Sequence, residues 1–386
     1  MTTGYGKMPR CNVRFGLVER IARNGEVFVT DERVSELMER VVSCQLLPSH
    51  HHLSPPLAPS SSPQIQLIMA TFFPNFTSQS ISVSDGISIH TLTGPKTGPP
   101  LLLIHGFPQT HHIWHLVAPQ LADQHSLVLV DLRGYGLSSK PRASEHGGHV
   151  EYSKGVMGED CLAVMTSLGY SQFSILAHDR GARVAHQLAI DHPEAVSKVM
   201  LLDILPTLTM FELGKASWYQ KYWHWQFLSQ PSPFPESAIL ADPALYAEKF
   251  LGPGGVGGKG VVFHPEVRAQ YEGLLRDEEA LHGMCEDYRA GVSIDLEEQR
   301  RDRKAGKKIS CDVFVVWGRN GACETEFGNV VALWREVCGG KVEGLPIESG
   351  WDPYLDTSTF STKNMNYAWV YRYRIEIGIR IQNLDT

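Results

Sequence analysis

Apolar and polar positions alternate over Ile81-Ser82-Val83 and over Ile87 to Leu92, with Asp85-Gly86 between them, a pattern that predicts two strands joined by a tight turn. Leu101-Leu102-Leu103-Ile104 and Ser126 to Asp131 are instead continuous apolar runs, as expected of strands covered on both faces of a parallel sheet. Between them, after His105-Gly106-Phe107-Pro108, lies a helical stretch. The second run ends at the Gly-rich turn Arg133-Gly134-Tyr135-Gly136. A helical period then covers Tyr152 to Leu168, an apolar strand covers Phe173 to Ala177, helical spacing returns from Ala182 to His192, and Lys198 to Asp203 is strand-like again. This alternation predicts an α/β fold, a mostly parallel sheet with helices on both faces and ligands at the carboxyl ends of its strands. His105, Asp131, Asp179 and Asp203 all fall at that edge.

From residue 207 to about 300 the strand pattern stops, and Trp218, Tyr219, Tyr222, Trp223 and Trp225 crowd into a helical text before Val313-Phe314-Val315-Val316-Trp317 resumes the sheet. An inserted helical cap over the site is expected. Residues 1–68 read differently, because Ser49 to Pro63 is rich in His, Ser and Pro and cannot form a packed core. The expected division is a poorly structured extension over 1–68, core over 69–206, cap over 207–300, core again over 301–350, and an atypical tail over 351–386. No internal repeat is present.

Composition narrows the function classes. The 386 residues are 42% hydrophobic and 20% charged, ordinary for a globular protein, and the net charge of −7 offers no basic field for nucleic acid. Seven cysteines are scattered without a CxxC pair, which predicts neither zinc site nor disulfide framework and suits a reducing compartment. No apolar stretch reaches the ~20 residues of a membrane helix. The first thirty residues carry Arg10, Arg14, Glu19, Arg20 and Arg23 without a secretory apolar region, so a cytoplasmic location is expected and the Asn75-Phe76-Thr77 sequon reads as coincidence. The His50-His51-His52 triplet, with no acid or cysteine beside it, reads as solvated linker rather than metal site. The expected partners are a small-molecule substrate and a second copy of the chain in a homodimer, with no nucleic acid, no membrane, no metal and no organic cofactor.

The chemistry concentrates at Phe173-Ser174-Ile175-Leu176-Ala177-His178-Asp179-Arg180-Gly181-Ala182-Arg183, where a strand breaks at a small-x-acid-x-Gly turn and a helix follows. Such a turn is a nucleophile elbow, which holds one side chain out of the sheet edge among backbone N–H groups. Here it carries Asp179 where serine is usual. A carboxylate nucleophile attacks electrophilic carbon and leaves an ester that water must cleave.

Taken together, His105-Gly106-Phe107-Pro108-Gln109, Asp131-Leu132-Arg133-Gly134-Tyr135-Gly136, His178-Asp179-Arg180-Gly181-Ala182-Arg183 and Leu202-Asp203-Ile204-Leu205-Pro206-Thr207 resemble the α/β-hydrolase superfamily, and within it the fluoroacetate (haloacetate) dehalogenases. The resemblance runs from about Phe72 to Gly350. It implies that Asp179 is the nucleophile and that Arg180 and Arg183 hold the substrate carboxylate, a task that suits the guanidinium fork. Their alternative is a salt bridge at the sheet edge. It further implies halide donors at His224 and Trp225, in Tyr222-Trp223-His224-Trp225, and at Tyr288, in Glu286-Asp287-Tyr288-Arg289; the alternative for this cluster is simple packing. The Phe107 and Arg180 backbone N–H groups would form the oxyanion hole, and Asp203 would orient a catalytic histidine or, alternatively, cap a loop.

The histidine itself is not in the text. The family supplies it in a Ser-Gly-His segment after the last strand; this chain has Glu348-Ser349-Gly350-Trp351, and none of its 17 histidines follows His282. From Trp351 onward nothing resembles the family. With the odd first 68 residues, this reads as a gene model that starts too early and passes through a splice site, a genuine isoform being the alternative. Asp179 could then be alkylated while hydrolysis of the ester fails, since only the second step needs the base. Two other functions compete. An epoxide hydrolase would use the same aspartate with two cap tyrosines, for which Tyr219, Tyr222, Tyr246, Tyr271 and Tyr288 are available, but Arg180 favours the dehalogenase. A silent small-carboxylate binding protein would need no base at all. A serine esterase is disfavoured because no G-x-S-x-G occurs.

Overall fold

The computed structural model describes residues 72–142, 148–252 and 263–347. The N-terminal extension, Met69, the histidine triplet, Cys11, Cys44, the Glu348 to Trp351 segment and the tail lie outside the described residues. Eight strands form one sheet: β1 (Thr77–Ser84), β2 (Ile87–Thr93), β3 (Pro100–Ile104), β4 (Ser126–Val130), β5 (Phe173–His178), β6 (Val196–Leu202), β7 (Asp312–Gly318) and β8 (Val342–Ile347), in the order β1-β2-β4-β3-β5-β6-β7-β8. β1 and β2 form the expected antiparallel hairpin, and β2 runs antiparallel to β4; every later pairing is parallel. β4 is buried throughout and β1 exposes all but two of its residues. That contrast follows from their texts, Ser-Leu-Val-Leu-Val in the middle of the sheet against Thr-Ser-Gln-Ser-Ile-Ser-Val-Ser at its rim.

Register does the positioning. Ile104 pairs with Val130 on one side and Ala177 on the other, and Leu202 lies beside His178 and Val316. The strands therefore end level, and Asp131, His105, Asp179 and Asp203 leave the sheet side by side from β4, β3, β5 and β6.

Helices α1 (Ala118–Leu121), α2 (Lys154–Ser167) and α3 (Asp179–Asp191) connect the strands up to β6. α3 starts at Asp179 itself, earlier than the Ala182 that periodicity suggests, because the elbow turns directly into the helix. Between β6 and β7 the chain inserts α4 (Thr207–Leu213), α5 (Ala216–Lys221), α6 (Trp223–Leu228), α7 (Phe234–Ala241), α8 (Pro243–Leu251), α9 (Pro265–Leu274), α10 (Glu278–Gly291) and α11 (Ile294–Ala305). The insertion thus runs past the expected boundary at residue 300, since α11 continues to a left-handed Gly306 that ends it. α12 (Ala322–Phe327) and α13 (Val330–Arg335) lead to β8. Among the described residues no helix is long and apolar enough to cross a membrane. Cys161, Cys285, Cys323 and Cys338 are buried free thiols, and Cys311 is half-buried.

Candidate active site

Two glycines let the elbow form. A Cβ on Gly181 would lie 2.2 Å from the His105 carbonyl oxygen, and one on Gly106 would lie 2.5 Å from the Asp179 Cβ. Neither position has room for a side chain, so α3 packs hard against the end of β3 and the loop after β3 passes against Asp179. Asp179 sits at φ +47°, a left-handed conformation uncommon for a non-glycine residue and typical of strained functional turns. Its Oδ1 accepts the Phe107 backbone N–H at 3.0 Å. The Arg180 N–H, in the first turn of α3, belongs to the set that finds no partner within its own helix.

Around this turn the structure brings both arginines together with two residues of the insertion. Arg180 and Arg183 are buried, and their guanidinium carbons lie 5.0 and 4.6 Å from the Trp225 ring. The Tyr288 ring lies 4.4 Å from Arg180, meets Trp225 edge to face at 5.5 Å and meets the His224 ring at 5.9 Å. Cation–π contact with aromatic faces is a favourable setting for buried guanidinium. Arg180 is also ion-paired: Nε and Nη2 donate to the Asp287 carboxylate at 3.0 and 2.7 Å. Arg183 differs. Its hydrogen-bond partners are the neutral Leu205 carbonyl, Thr207 hydroxyl and Met210 sulfur, and no carboxylate among the described residues lies within ion-pair distance. Arg180 Nη1, Arg183 Nε, His224 Nδ1 and Trp225 Nε1 are all buried without a hydrogen-bond partner among the described residues. Buried polar nitrogens are normally satisfied, so four together at one place, three of them certain donors, point to a ligand.

Electrostatics agree with an anion-seeking site. Burial lowers Arg183 from the ordinary guanidinium value and the neighbouring Arg180 charge lowers it further, while the Asp179 charge, beyond ion-pair distance, offsets part of the fall; a guanidinium in a protein stays charged. Burial pushes His224 down to about 3, so it is neutral at pH 7. Asp203, at φ +55°, accepts the Gly318 N–H at 3.3 Å; burial drives its carboxyl up to about 7, with the Asp179 charge adding to the rise.

Of the five available tyrosines, Tyr288 is drawn onto the arginines, Tyr222 lies 5.4 Å from the His224 ring, Tyr246 stacks on Phe227 at 5.3 Å and Tyr271 meets Phe263 edge to face; Tyr219 reaches the surface. Sequence reading missed Asp287, Lys154 and Tyr135, which form a buried group beneath Arg180; residues 107 and 133 positions apart leave no local signal. It also missed a buried trio, His90, His111 and Asp131, whose ligand-type atoms lie within 4.8 Å of one another. Asp131 Oδ1 accepts the His111 N–H at 2.8 Å and lies 2.7 Å from His111 Nδ1, so the trio braces the loop after β3 against the end of β4.

Burial lowers His90, His105, His112, His115, His186 and His224, with His186 at about 4. The unfolded chain takes up these protons below pH 6.5 while the folded one refuses them, so their contribution is complete above that value and is lost as pH falls. The loss amounts to about 1.4 kcal/mol per pH unit for each imidazole held neutral. Asp203, Asp160, Asp191 and Glu298, whose carboxyls burial raises, and His192, raised by Glu159 against its own desolvation, act in the opposite sense and offset part of this loss. The melting temperature is therefore expected to fall steadily from pH 7 to pH 5 in scanning fluorimetry; a flat profile would contradict this account.

This arrangement, an elbow carboxylate at the level edge of a mostly parallel sheet beneath inserted helices, defines a hydrolase of the α/β type. The chain belongs to the α/β-hydrolase fold family, whose model matches residues 99–321. It is 42% identical over 275 residues to a fluoroacetate dehalogenase of Burkholderia sp, a match covering 71% of this chain and 88% of that protein. It is 29% identical over 269 residues to a soluble epoxide hydrolase of Corynebacterium sp. (strain C12), covering 69% and 87%. Among solved structures, a protein of Nostoc sp PCC 7120 assigned to the α/β hydrolases superposes with a TM-score of 0.66 at 43% identity, covering 71% of this chain and 91% of that one.

Proposed function

We propose that this hydrolase displaces halide from a small α-haloacid, using Asp179 as the nucleophile, with α4 to α11 as a cap over the reaction. The observation that carries this reading is Arg183, a buried cation with no carboxylate partner among the described residues, one helical turn beyond the nucleophile. A buried charge calls for a counter-charge, and a substrate carboxylate supplies it. With the carboxylate held by Arg183 and Arg180, the neighbouring carbon faces Asp179. One carboxylate oxygen forms a bond to that carbon as the carbon–halogen bond breaks, and the halide leaves with the bonding pair toward His224, Trp225 and Tyr288. Phe107 N–H, which holds Oδ1 at rest, then faces the ester carbonyl and would steady the oxyanion formed when water attacks. Water returns the Asp179 carboxylate and releases the hydroxyacid and a proton.

That last step needs a base. β8 ends at Ile347, and Glu348-Ser349-Gly350-Trp351 follows with no histidine. The ester is therefore expected to accumulate. Incubation with fluoroacetate should release about one equivalent of fluoride per chain, followed by slow turnover, and should add one carboxymethyl group to the peptide containing Asp179. Halide release and peptide mass spectrometry check this directly; diol formation from styrene oxide without any halide release from haloacetates would favour the epoxide reading. Folded protein that binds haloacetate yet gains no mass would favour a silent binder.

A further inference from the structure

Asp287 stands at the centre of a buried group that the reaction scheme does not use. Its Oδ1 accepts Arg180 Nη2 at 2.7 Å and also the Lys154 ammonium. Its Oδ2 accepts Arg180 Nε at 3.0 Å and the Tyr135 hydroxyl at 2.7 Å. Its backbone carbonyl accepts Arg180 Nη2 again at 2.6 Å. These bonds grip one edge of the guanidinium and fix its plane, with the Tyr288 ring 4.4 Å away. α10 passes so close that a Cβ on Gly291 would lie 2.9 Å from Arg180 Nη2. Of the guanidinium nitrogens only Nη1 is left without a partner among the described residues.

Charge is apportioned by the same contacts. Asp287 serves two cations, Arg180 and Lys154, and Lys154 turns partly to Asp295 at 3.5 Å. Two cations and two carboxylates thus share one buried group, and within it Arg180 is held in place.

We propose that Asp287 is the positioning residue of a carboxylate clamp, orienting Arg180 so that Nη1 alone is offered, and that it sets the preference for substrates bearing a carboxylate over neutral ones. The proposal rests on the reading that Arg180 and Arg183 hold the substrate acid. Position and bulk charge predict opposite signs here. Asp287→Asn makes the site more positive by one charge, so if charge alone mattered it would tighten acid binding; if orientation matters it weakens it.

The test is calorimetric binding of glycolate and of neutral glycolamide to the full chain, which needs no turnover. Wild-type protein is expected to prefer glycolate, and Asp287→Asn to weaken glycolate by about 30-fold, in line with loss of a charge-assisted hydrogen bond, while moving glycolamide by less than about 3-fold. Tyr135→Phe removes a single bond to Oδ2 and keeps the ring, so it serves if the first variant does not fold; it should lower the glycolate-to-glycolamide ratio by about 5-fold. Unchanged or tighter glycolate binding in Asp287→Asn overturns the proposal, as does an unchanged ratio in Tyr135→Phe or no glycolate preference in wild-type protein. Glycolate preference with the expected losses, but no halide released from any haloacetate, would leave the clamp standing and sink the dehalogenase reading.

Discussion

Asp179→Asn is expected to abolish both halide release and covalent labelling, a loss of about 10⁴-fold or more in the first chemical step, as when a covalent nucleophile is removed. An amide oxygen is a far weaker nucleophile than a carboxylate, while the shape of the turn survives the change. Asparagine tolerates left-handed backbone as well as aspartate does, so the φ of +47° is no obstacle. The Phe107 N–H can still donate to the amide oxygen. Matched melting curves with vanished fluoride release identify the residue as chemical rather than structural. Halide release at the wild-type rate from the folded variant would remove the foundation of the proposed mechanism.

The second large effect is expected at Trp225. Its indole N–H is fully buried without a partner among the described residues, and its ring touches both arginines. Trp225→Phe keeps an aromatic face for the guanidinium groups and deletes the donor. Removing one preorganised donor to a developing anion costs about 10²- to 10³-fold in rate. Fluoride concentrates its charge and leaves poorly, whereas bromide leaves with less help, so the loss should be large for fluoroacetate and about 10-fold or less for bromoacetate. Single-turnover halide release from the two acids measures the contrast. Equal losses for both halides would mean that Trp225 packs the site and does not stabilise the leaving group.

Much of the scaffold was legible in the text because it depends on local pattern. The runs at Leu101 to Ile104, Ser126 to Val130 and Lys198 to Leu202 are strands where periodicity places them, and the four edge residues leave the sheet together because parallel register levels the strand ends. Asp179 stood out for the same reason, since an elbow is a short-range signal. The insertion was legible only as helical and aromatic. Trp218, Tyr222, Trp223 and Trp225 have one spacing whether they pack or bind, and the difference lies in which ring meets a guanidinium.

What the sequence determined by itself is the layered α/β sheet, the acid at its sharp turn and the lack of any histidine beyond His282. Tertiary structure alone decided that Arg180 is ion-paired while Arg183 is not, because Asp287 reaches the first from a helix 107 residues away and no acid among the described residues reaches the second. Local pattern fixes which way a side chain leaves its own strand or helix. Whether a buried charge is already answered depends on long-range packing, and that is the property on which the proposed chemistry turns.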